Sequence, residues 1–195
     1  IEVTASDDGL NAAGGADQSG FGGMGGRPQD TFASGSAAQL TITGGTIRIN
    51  ASGDGIDSNG NLTITGGEVY VSGSTDNGNG ALDYDGTATI TGGIVVAAGS
   101  TGMAQNFGSN STQGSMLVNC SGSAGSEIVL QDADGKVLVR YTSEKAYACA
   151  VISCPELTVG STYTVTAGGS SVSVTLSSLI FGGSGMGGPG GDMGG

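Results

Sequence analysis

Short runs in which aliphatic and polar residues alternate fill the chain from its start to about position 113. One of them, Thr-Ile-Thr-Gly-Gly, occurs three times, at positions 41–45, 63–67 and 89–93. Alternation with a period of two is typical of β-strands that bury one face. Recurrence at intervals of this size is typical of solenoids, in which each repeat adds one coil to a stack. The pattern therefore predicts an all-β fold in which residues 1–113 form a parallel β-helix.

The same alternation assigns side chains to the inside or the outside of each predicted coil. In the second coil it places Ile49 inside and Arg48 outside. In the third coil it places Val69 and Val71 inside and Tyr70 outside. Each coil is therefore expected to bury only a thin layer of aliphatic side chains.

Three other stretches interrupt or follow the repeats. A glycine-rich insertion at about residues 12–39 is either a mobile spacer or a loop on the binding face. Residues 114–181 contain a hairpin signal around Gly135 and predict an antiparallel β cap or small β-sandwich that docks on the last coil. Residues 182–195 form a Gly- and Met-rich tail that we expect to be flexible. Further strands are predicted at 147–153, 162–167 and 172–181.

The composition supports a solenoid and disfavours several functions. With 41 glycines and only 36% hydrophobic and 5% aromatic residues, the chain lacks the bulky side chains of a conventional globular core. A net charge of −12 disfavours nucleic acid and anionic membranes as partners, because contacts to phosphate need clustered Lys and Arg. No apolar run is long enough for membrane insertion. The absence of His removes the commonest base and the usual zinc ligand.

The candidate site lies at acidic corners that connect the strands of successive coils. The two best-defined corners span residues 53–59 and 80–86, and an earlier one spans residues 7–11. The corners can be aligned on their inward aliphatic residues, and equivalent residues of stacked parallel strands lie about 4.8 Å apart. The acidic side chains end at the fourth coil, in residues 101–107. The alignment places Asn11 with Asp57 and Asp83, Asp8 with Asp54, and Asn59 with Asp85.

Carboxylates stacked this closely repel each other, and a divalent cation would remove that repulsion. Calcium fits best, because it accepts about six to eight oxygen ligands from carboxylates, amides and backbone carbonyls. In the competing interpretation, the Asp and Asn side chains only satisfy backbone groups of the turns. The predicted calcium ligands are Asp54, Asp57, Asp83 and Asp85, then Asn59, Asp76 and Asn79 as second choices, together with Asp8 and Asn11 from the first corner.

Three cysteines, Cys120, Cys149 and Cys154, cannot all pair within one chain. If Cys149 and Cys154 lie on one straight strand, their odd separation puts them on opposite faces. The cysteines are therefore either small packed residues, or Cys120 forms a disulfide with one of the other two. Cysteine usage leaves the redox compartment open.

The coils and acidic corners, above all residues 51–60, 78–86 and 102–105, resemble a carbohydrate-binding parallel β-helix family of clostridia and related Gram-positive bacteria. Members of that family are similar in fold to calcium-dependent pectate lyases and bind polygalacturonate and cellulose. The resemblance implies secretion, with an extracellular or cell-surface location, and calcium ions within the helix. It also implies further N-terminal coils. Because the chain starts in mid-pattern, we expect it to be a piece of a longer secreted precursor.

These observations predict a secreted, non-catalytic, calcium-binding protein whose partner is a polysaccharide, either polygalacturonate or a cellulose-like polymer. Tyr70 and Tyr84 would offer ring faces to sugars, with Arg48 beside them. A calcium-dependent lyase is the remaining enzymatic alternative, but it needs a Lys or Arg base, and Arg48 is the only cation on a predicted coil. A glycosidase needs two carboxyl groups, one of them in an apolar pocket, and the acidic row offers no such pocket. No catalytic residue is assigned.

The alternative function is structural. An open first coil could stack on another copy of the chain and build an extracellular fibre, because head-to-tail contacts that do not close produce filaments. The glycine-rich insertion and tail would then connect the subunits. Both functions are compatible, since a surface fibre can also bind glycans.

Overall fold

The computed structural model describes residues 1–13 and 38–183, and every regular element in them is a β-strand. The prediction of an all-β fold is therefore confirmed. The described residues contain no helix long and apolar enough to cross a membrane. The predicted insertion lies almost wholly outside the described residues, as does the predicted tail beyond residue 183.

Ten short strands occupy the part of the chain that carries the repeats. Each ends near a corner rich in Gly, Asn, Asp or Ser, the residues that favour turns. The strands are β1 (Glu2–Ala5), β2 (Leu10–Ala12), β3 (Gln39–Ile42), β4 (Thr46–Ala51), β5 (Ile56–Ser58), β6 (Asn61–Ile64), β7 (Glu68–Ser72), β8 (Leu82–Tyr84), β9 (Ala88–Ile90) and β10 (Ile94–Gly99).

These strands form three rows in which every pair is parallel. The first row is β1, β4, β7 and β10, the second is β2, β5 and β8, and the third is β3, β6 and β9. In the third row the Thr-Ile-Thr motifs stack in register, since Thr63 pairs with Thr41 on one side and with Thr89 on the other. We call three consecutive strands, one from each row, a layer. The first layer is β1 to β3, the second β4 to β6 and the third β7 to β9.

A narrow apolar core lies between the three rows. Ile56 pairs with Leu10 of the layer before and with Leu82 of the layer after, as the alignment of the corners predicts. In the third row Ile64 pairs with Ile90 in the same way. Ile56, Ile64 and Ile90 have no exposed surface. These isoleucines therefore stack on aliphatic side chains of the neighbouring layers, and burial of the thin layers supplies the hydrophobic stabilisation.

The Gly-Gly corner after each strand of the third row depends on glycine. The second glycine of each copy, Gly45, Gly67 or Gly93, has a positive φ between 84° and 98°. A Cβ on Gly67 would also lie 2.7 Å from the backbone oxygen of Gly45 in the layer before. Only glycine accepts both conditions without strain. The repeated Gly-Gly therefore sets the geometry of the corner.

Seven further strands follow the third layer and β10. They are β11 (Ser115–Gly122), β12 (Glu127–Gln131), β13 (Val137–Thr142), β14 (Tyr147–Ser153), β15 (Thr162–Ala167), β16 (Ser170–Thr175) and β17 (Ile180–Phe181). Three of them extend the first row into a mixed sheet of order β1-β4-β7-β10-β14-β11-β17, in which β14 is antiparallel to both β10 and β11. The other four form a separate antiparallel sheet of order β13-β12-β15-β16.

The sequence predicts most of these later strands correctly. The hairpin of β12 and β13 is present, with Gly135 in its turn at a φ of 81°. The strands predicted at 147–153 and 162–167 have those bounds. The single strand predicted at 172–181 is wrong, because the chain forms two strands there, β16 and β17, in two different sheets.

A second apolar core joins the later strands to the first row. It contains Met116 and Ile152 of the seven-stranded sheet and Leu130 of the four-stranded sheet. Tyr70 of β7 and Val96 of β10, which point away from the narrow core, belong to the same cluster. The four-stranded sheet therefore covers the outer side of the first row, in addition to the contact that β14 makes at its last strand.

The three cysteines are free thiols. Burial raises the pKa of Cys149 to about 11 and the pKa of both Cys120 and Cys154 to about 12. Cys149 Sγ donates to the backbone oxygen of Ser100 at 3.0 Å. The three cysteines are therefore small packed residues, which is the first of the two predicted alternatives, and their thiols stay protonated at neutral pH.

Within the described residues, the outer edges of β1, β2 and β3, the first strand of each row, pair with no other strand. Ile1, which lies at this end, is 75% exposed. Unpaired edges of this kind are templates for added strands. Self-assembly through this end stays a prediction.

Candidate functional site

The acidic corners lie side by side in the second row of strands. Asp57 pairs with Asn11 of the layer before and with Asp83 of the layer after, which confirms the predicted register. The backbone N–H of Asp54 donates to Asp8 Oδ1 at 2.8 Å, so these two corners are also adjacent as predicted. Three successive layers thus bring carboxyl and amide side chains together in steps of about 4.8 Å. We call Asn11, Asp57 and Asp83, with Asp8 and Asp54 beside them, the acidic row.

Two carboxylates of the acidic row bind the backbone of the layer that follows. Asp8 accepts the N–H of Asp54, and Asp54 Oδ1 accepts the N–H of Gly80 at 2.6 Å. Asn11 Nδ2 donates to Asp8 Oδ2 at 2.9 Å. These contacts satisfy backbone groups of the turns, as the competing interpretation predicts. Asp57 differs, because its carboxyl group accepts no hydrogen bond from any described residue.

Burial and mutual repulsion make three carboxyl groups of the row hard to ionise. Burial raises the pKa of Asp57 to about 7, and the charges of Asp8, Asp83, Asp54 and Asp85 add to the effect. Burial also raises the pKa of Asp54 to about 6, although the hydrogen bond from Gly80 opposes the change. The pKa of Asp83 is raised as well, by burial first and by the charge of Asp85 second. Ionising the row therefore destabilises the folded chain, because it concentrates negative charge in a partly buried place.

No positive charge of the described chain compensates this cost. The groups that shift the pKa values of Asp54, Asp57 and Asp83 include no Lys or Arg. Within residues 1–13 and 38–183, no three His, Cys, Asp or Glu side chains are placed to hold a metal ion. The available donors are carboxylate and amide oxygens, which match a hard cation such as calcium. Their chemistry thus fits calcium, while the side chains are arranged as a row rather than as a closed shell.

Gln105 continues the acidic row, and the sequence analysis did not assign it to the site. Its Nε2 donates to Asp83 Oδ1 at 3.1 Å. Its Oε1 is buried without a hydrogen-bond partner among the described residues. Gln105 follows Asp83 at the same interval that separates the first two Thr-Ile-Thr motifs, and this spacing is the signal that identifies it. The row therefore ends in an amide that donates to the last carboxylate instead of repelling it.

Two second-choice ligands lie outside the acidic row. Asp76 Oδ1 accepts the N–H of Gly78 at 2.8 Å, and the N–H of Asn79 donates to the backbone oxygen of Asp76 at 3.3 Å. Neither Asp76 nor Asn79 is among the groups that shift the pKa values of the row. These residues form a local turn next to the row, since Asn79 directly precedes Gly80, whose N–H donates to Asp54 Oδ1. No described hydrogen bond joins the side chain of Asp76 or Asn79 to another predicted ligand.

Asn59 and Asp85 lie next to each other after the second-row strands. The N–H of Asp85 donates to the backbone oxygen of Ser58 at 3.0 Å, which fixes the predicted alignment. Asn59 Nδ2 donates to the backbone oxygen of Ala13 at 3.4 Å. The side chain of Asp85 is exposed, and its charge contributes to the raised pKa values of Asp57 and Asp83. Asp85 therefore adds a further carboxyl group beside the row.

The predicted sugar-binding role of Tyr70 needs a correction. Tyr70 points away from the narrow core, but it is only 8% exposed. Its ring stacks on Tyr141 of β13 with a centroid distance of 5.2 Å, and the Arg48 guanidinium lies 4.8 Å from the ring centroid. Because residues 114–181 cover this side of β7, Tyr70 offers no free ring face to a sugar. Arg48 itself is exposed.

Tyr84 is half-buried and lies beside Asp83 and Asp85 in the corner. Its hydroxyl donates to the backbone oxygen of Asn106. Tyr84 also packs against the narrow core. The ring is therefore part of the corner's framework, and its proposed contact with a sugar stays a prediction.

The raised pKa values predict that stability falls as the pH rises from about 4 to about 7. Over this interval the folded chain keeps a proton on Asp57 that the unfolded chain has lost, since the ordinary value of Asp is 3.8. Raising the pH then favours the unfolded state. We expect a lower urea midpoint at pH 8 than at pH 5 in the presence of EDTA, with Asp54 and Asp83 contributing in the same direction.

Asp57→Asn is the matched variant for this measurement, because it keeps the shape and removes the charge. It is expected to be more stable than the native chain at pH 8 and to depend less on pH. An unchanged pH dependence in Asp57→Asn would show that other groups cause the effect.

Comparison with known proteins gives no family for this chain. No protein-family model matches it, and no curated protein sequence or solved structure matches it either. The resemblance to carbohydrate-binding β-helix proteins therefore stays a prediction that rests on the motifs of the corners and coils.

Proposed function

We propose that residues 1–113 form a parallel β-helix and that the protein is a secreted, non-catalytic protein that binds calcium and an acidic polysaccharide at the acidic row. The three rows of parallel strands and their in-register motifs support the β-helix. The oxygen-only donor set supports a hard cation. An extracellular location follows from the proposed partner, since such polysaccharides are found outside the cell.

The observation that carries the proposal is the environment of Asp57. Its carboxyl group is half-buried, accepts no hydrogen bond from the described residues, and lies among the charges of Asp8, Asp54 and Asp83. A carboxylate that only satisfied a turn would accept backbone N–H groups, as Asp54 does from Gly80. A bound cation would remove the repulsion and supply the missing partner. Asp57 and Asp83 would hold it, assisted by Asp54 and Asp85.

A cation at the row would also explain how an acidic protein binds an acidic polymer. The chain carries a net charge of −12, so a polyuronate is repelled unless a metal ion lies between the two. A calcium ion reverses the local sign of the field and can accept carboxylate oxygens from both partners. Polygalacturonate, with one carboxylate on each sugar, has the required chemistry.

The position of the cationic side chains supports binding rather than lyase chemistry. A lyase needs a basic side chain within reach of the proton that it removes. Arg48 lies on β4 in the first row and stacks on Tyr70, whereas the acidic row follows the second row of strands. Lys145 Nζ donates to the backbone oxygen of Ala51. Neither of these cations contributes to the pKa values of the acidic row.

Calcium titration tests the proposal directly. Isothermal titration of the metal-free chain with calcium chloride is expected to show binding, and Asp57→Asn is expected to weaken it about tenfold or more, because one charged ligand is lost. Asp83→Asn is expected to have a similar effect. With calcium present, the native chain is expected to be retained on immobilised polygalacturonate and to be released by EDTA.

Asp76→Asn is the matched control for the titration. Asp76 lies in its own turn, where an Asn oxygen can still accept the N–H of Gly78. Its calcium affinity is expected to equal that of the native chain. Two results would sink the proposal: no calcium binding by the native chain, or retention on polygalacturonate that survives EDTA.

A further inference from the structure

Threonines cover the outer face of the third row of strands in two columns. The Ile of each Thr-Ile-Thr motif lies in the narrow core, so the threonines on both sides of it point outward. Members of the first column pair in register between layers. In the second column, Thr65 and Thr91 each donate an N–H to the Ile of the layer before at 2.9 Å. The columns are Thr41, Thr63 and Thr89, and Thr43, Thr65 and Thr91.

A fourth layer extends the second column, although its sequence is no longer Thr-Ile-Thr. The N–H of Thr112 donates to Ile90 O at 3.0 Å, the contact that Thr91 makes with Ile64 O one layer earlier. The buried hydroxyl of Ser111 accepts the N–H of Ile90 at 3.1 Å. Ser111 therefore takes the inward position, and Thr112 is exposed like the other members of its column. We call the two columns, with Thr112, the threonine face.

The backbone gives the threonine face a regular spacing in two directions. Equivalent residues of neighbouring layers lie about 4.8 Å apart, and successive outward residues of one strand lie about 6.6 Å apart. Because threonine is β-branched, its χ1 angle is restricted, so hydroxyl and methyl groups are held in few orientations. The hydroxyl groups of the face form no hydrogen bond with another described residue. The face therefore presents a lattice of hydroxyl and methyl groups to the solvent.

The borders of the threonine face are low and uncharged. The Gly-Gly corners follow the second column, and glycine has no side chain that could rise beside it. On the other side, the outward residues Gln39, Asn61 and Thr87 carry neutral amide and hydroxyl groups. In a chain with a net charge of −12, these positions thus form a smooth neutral surface, on a different sheet from the acidic row.

These properties select a flat, periodic and neutral ligand. Flat sugar surfaces are recognised mainly through aromatic rings, which supply large apolar contacts, and the outward positions of the threonine face hold no aromatic residue. Mineral surfaces present ions, which call for charged side chains. Ice differs from both, because its lattice excludes ions and its surface repeats the same hydrogen-bonding groups at fixed intervals.

We infer that the threonine face binds ice, the crystalline form of water. Its two spacings are close to the repeat distances of water molecules on a prism face of hexagonal ice, so neighbouring hydroxyl groups can occupy lattice positions together. A threonine hydroxyl donates one hydrogen bond and accepts two, and therefore can replace a water molecule of the lattice. The methyl groups between the hydroxyls restrict the orientations of the adjacent water. This site goes beyond the proposed function, because it needs neither a cation nor a sugar.

The number of threonines explains how weak contacts could hold the chain on ice. Each hydroxyl exchanges a hydrogen bond with liquid water for one with the crystal, so its net contribution is small. Because the stacked layers fix the threonines relative to one another, all contacts form in a single encounter, and their effects combine. A side chain that keeps part of the face away from the crystal is therefore expected to weaken binding far more than the loss of one hydroxyl.

Measurements of ice growth in EDTA test the inference without a cation at the acidic row. The native chain is expected to shape ice crystals, to produce thermal hysteresis, and to be enriched in slowly grown ice. Thr65→Tyr puts a ring at the centre of the threonine face and is expected to lower thermal hysteresis about tenfold or more, because neighbouring threonines lose contact with the crystal. Tyrosine suits an exposed strand position, so the fold is expected to be retained, which circular dichroism checks.

Thr142→Tyr is the matched control. Thr142 is an exposed threonine of β13 in the four-stranded sheet, and its replacement is expected to leave thermal hysteresis unchanged. Calcium-dependent retention of Thr65→Tyr on polygalacturonate is expected to equal that of the native chain, so the two proposals can fail separately. Ice that grows unshaped and without hysteresis in the native chain would overturn the inference. Native hysteresis in folded Thr65→Tyr would also overturn it, because another surface would then bind the ice.

Discussion

Replacing Gly55 with alanine is expected to lower the free energy of unfolding by about 3 kcal/mol, because the new Cβ has no room between two layers. It would lie 2.3 Å from Val71 Cγ1 and 2.4 Å from the backbone oxygen of Ala81. The backbone cannot move away freely, since the N–H of Gly55 donates to Gly80 O at 3.0 Å. Urea unfolding followed by circular dichroism measures the loss.

Gly44→Ala is the matched control for Gly55→Ala. Gly44 also lies at a corner between strands, but a Cβ there would meet no atom within 4 Å. We expect its free energy of unfolding to stay within about 0.5 kcal/mol of the native value. Equal losses at the two positions would contradict the close stacking of the layers at Gly55.

Ile56→Ala is expected to lower the free energy of unfolding by about 2–5 kcal/mol, the cost of a cavity in a packed core. Ile56 has no exposed surface and pairs with Leu10 on one side and Leu82 on the other. In a thin stack few neighbours can move into the space, so little of the cost is recovered. Urea unfolding at a fixed pH in EDTA keeps the charge of the acidic row constant.

Leu10→Ala provides the comparison for Ile56→Ala. Leu10 lies in the first layer and is only half-buried, so its truncation removes less buried surface. We expect a clearly smaller loss than at Ile56. A loss as large as that of Ile56→Ala would mean that the first layer is buried by contacts that the described residues do not show.

The register of the layers could be predicted because it depends on short-range patterns. Inward aliphatic residues at equivalent positions align Leu10, Ile56 and Leu82, and a shift by one residue would turn all of them outward. The Gly-Gly corners limit the alignment further, because Gly67 lies against the backbone of Gly45 in the layer before and leaves no room for a Cβ. The alignment in turn brings Asp57 beside Asp83, so the acidic row itself was predictable.

The surroundings of several site residues could not be predicted, because they depend on contacts between distant parts of the chain. Tyr70 follows the outward pattern of its strand, yet Tyr141, which lies far along the chain on β13, covers its ring. Periodicity gives the direction of a side chain and does not show which sheet will lie above it. The sequence also does not distinguish Asp54, which binds the N–H of Gly80, from Asp57, which accepts no hydrogen bond from the described residues.

The antiparallel pairing of β14 with β10 has a consequence for how this chain could change its length. Because β14 occupies the edge of β10, no further parallel strand can be added there, but a duplicated layer could be inserted between β7 and β10 without altering either end. Each inserted layer would add one position to the acidic row. Under the proposed function, gene duplication within the repeats would thus add ligand positions one layer at a time and tune the avidity of the row.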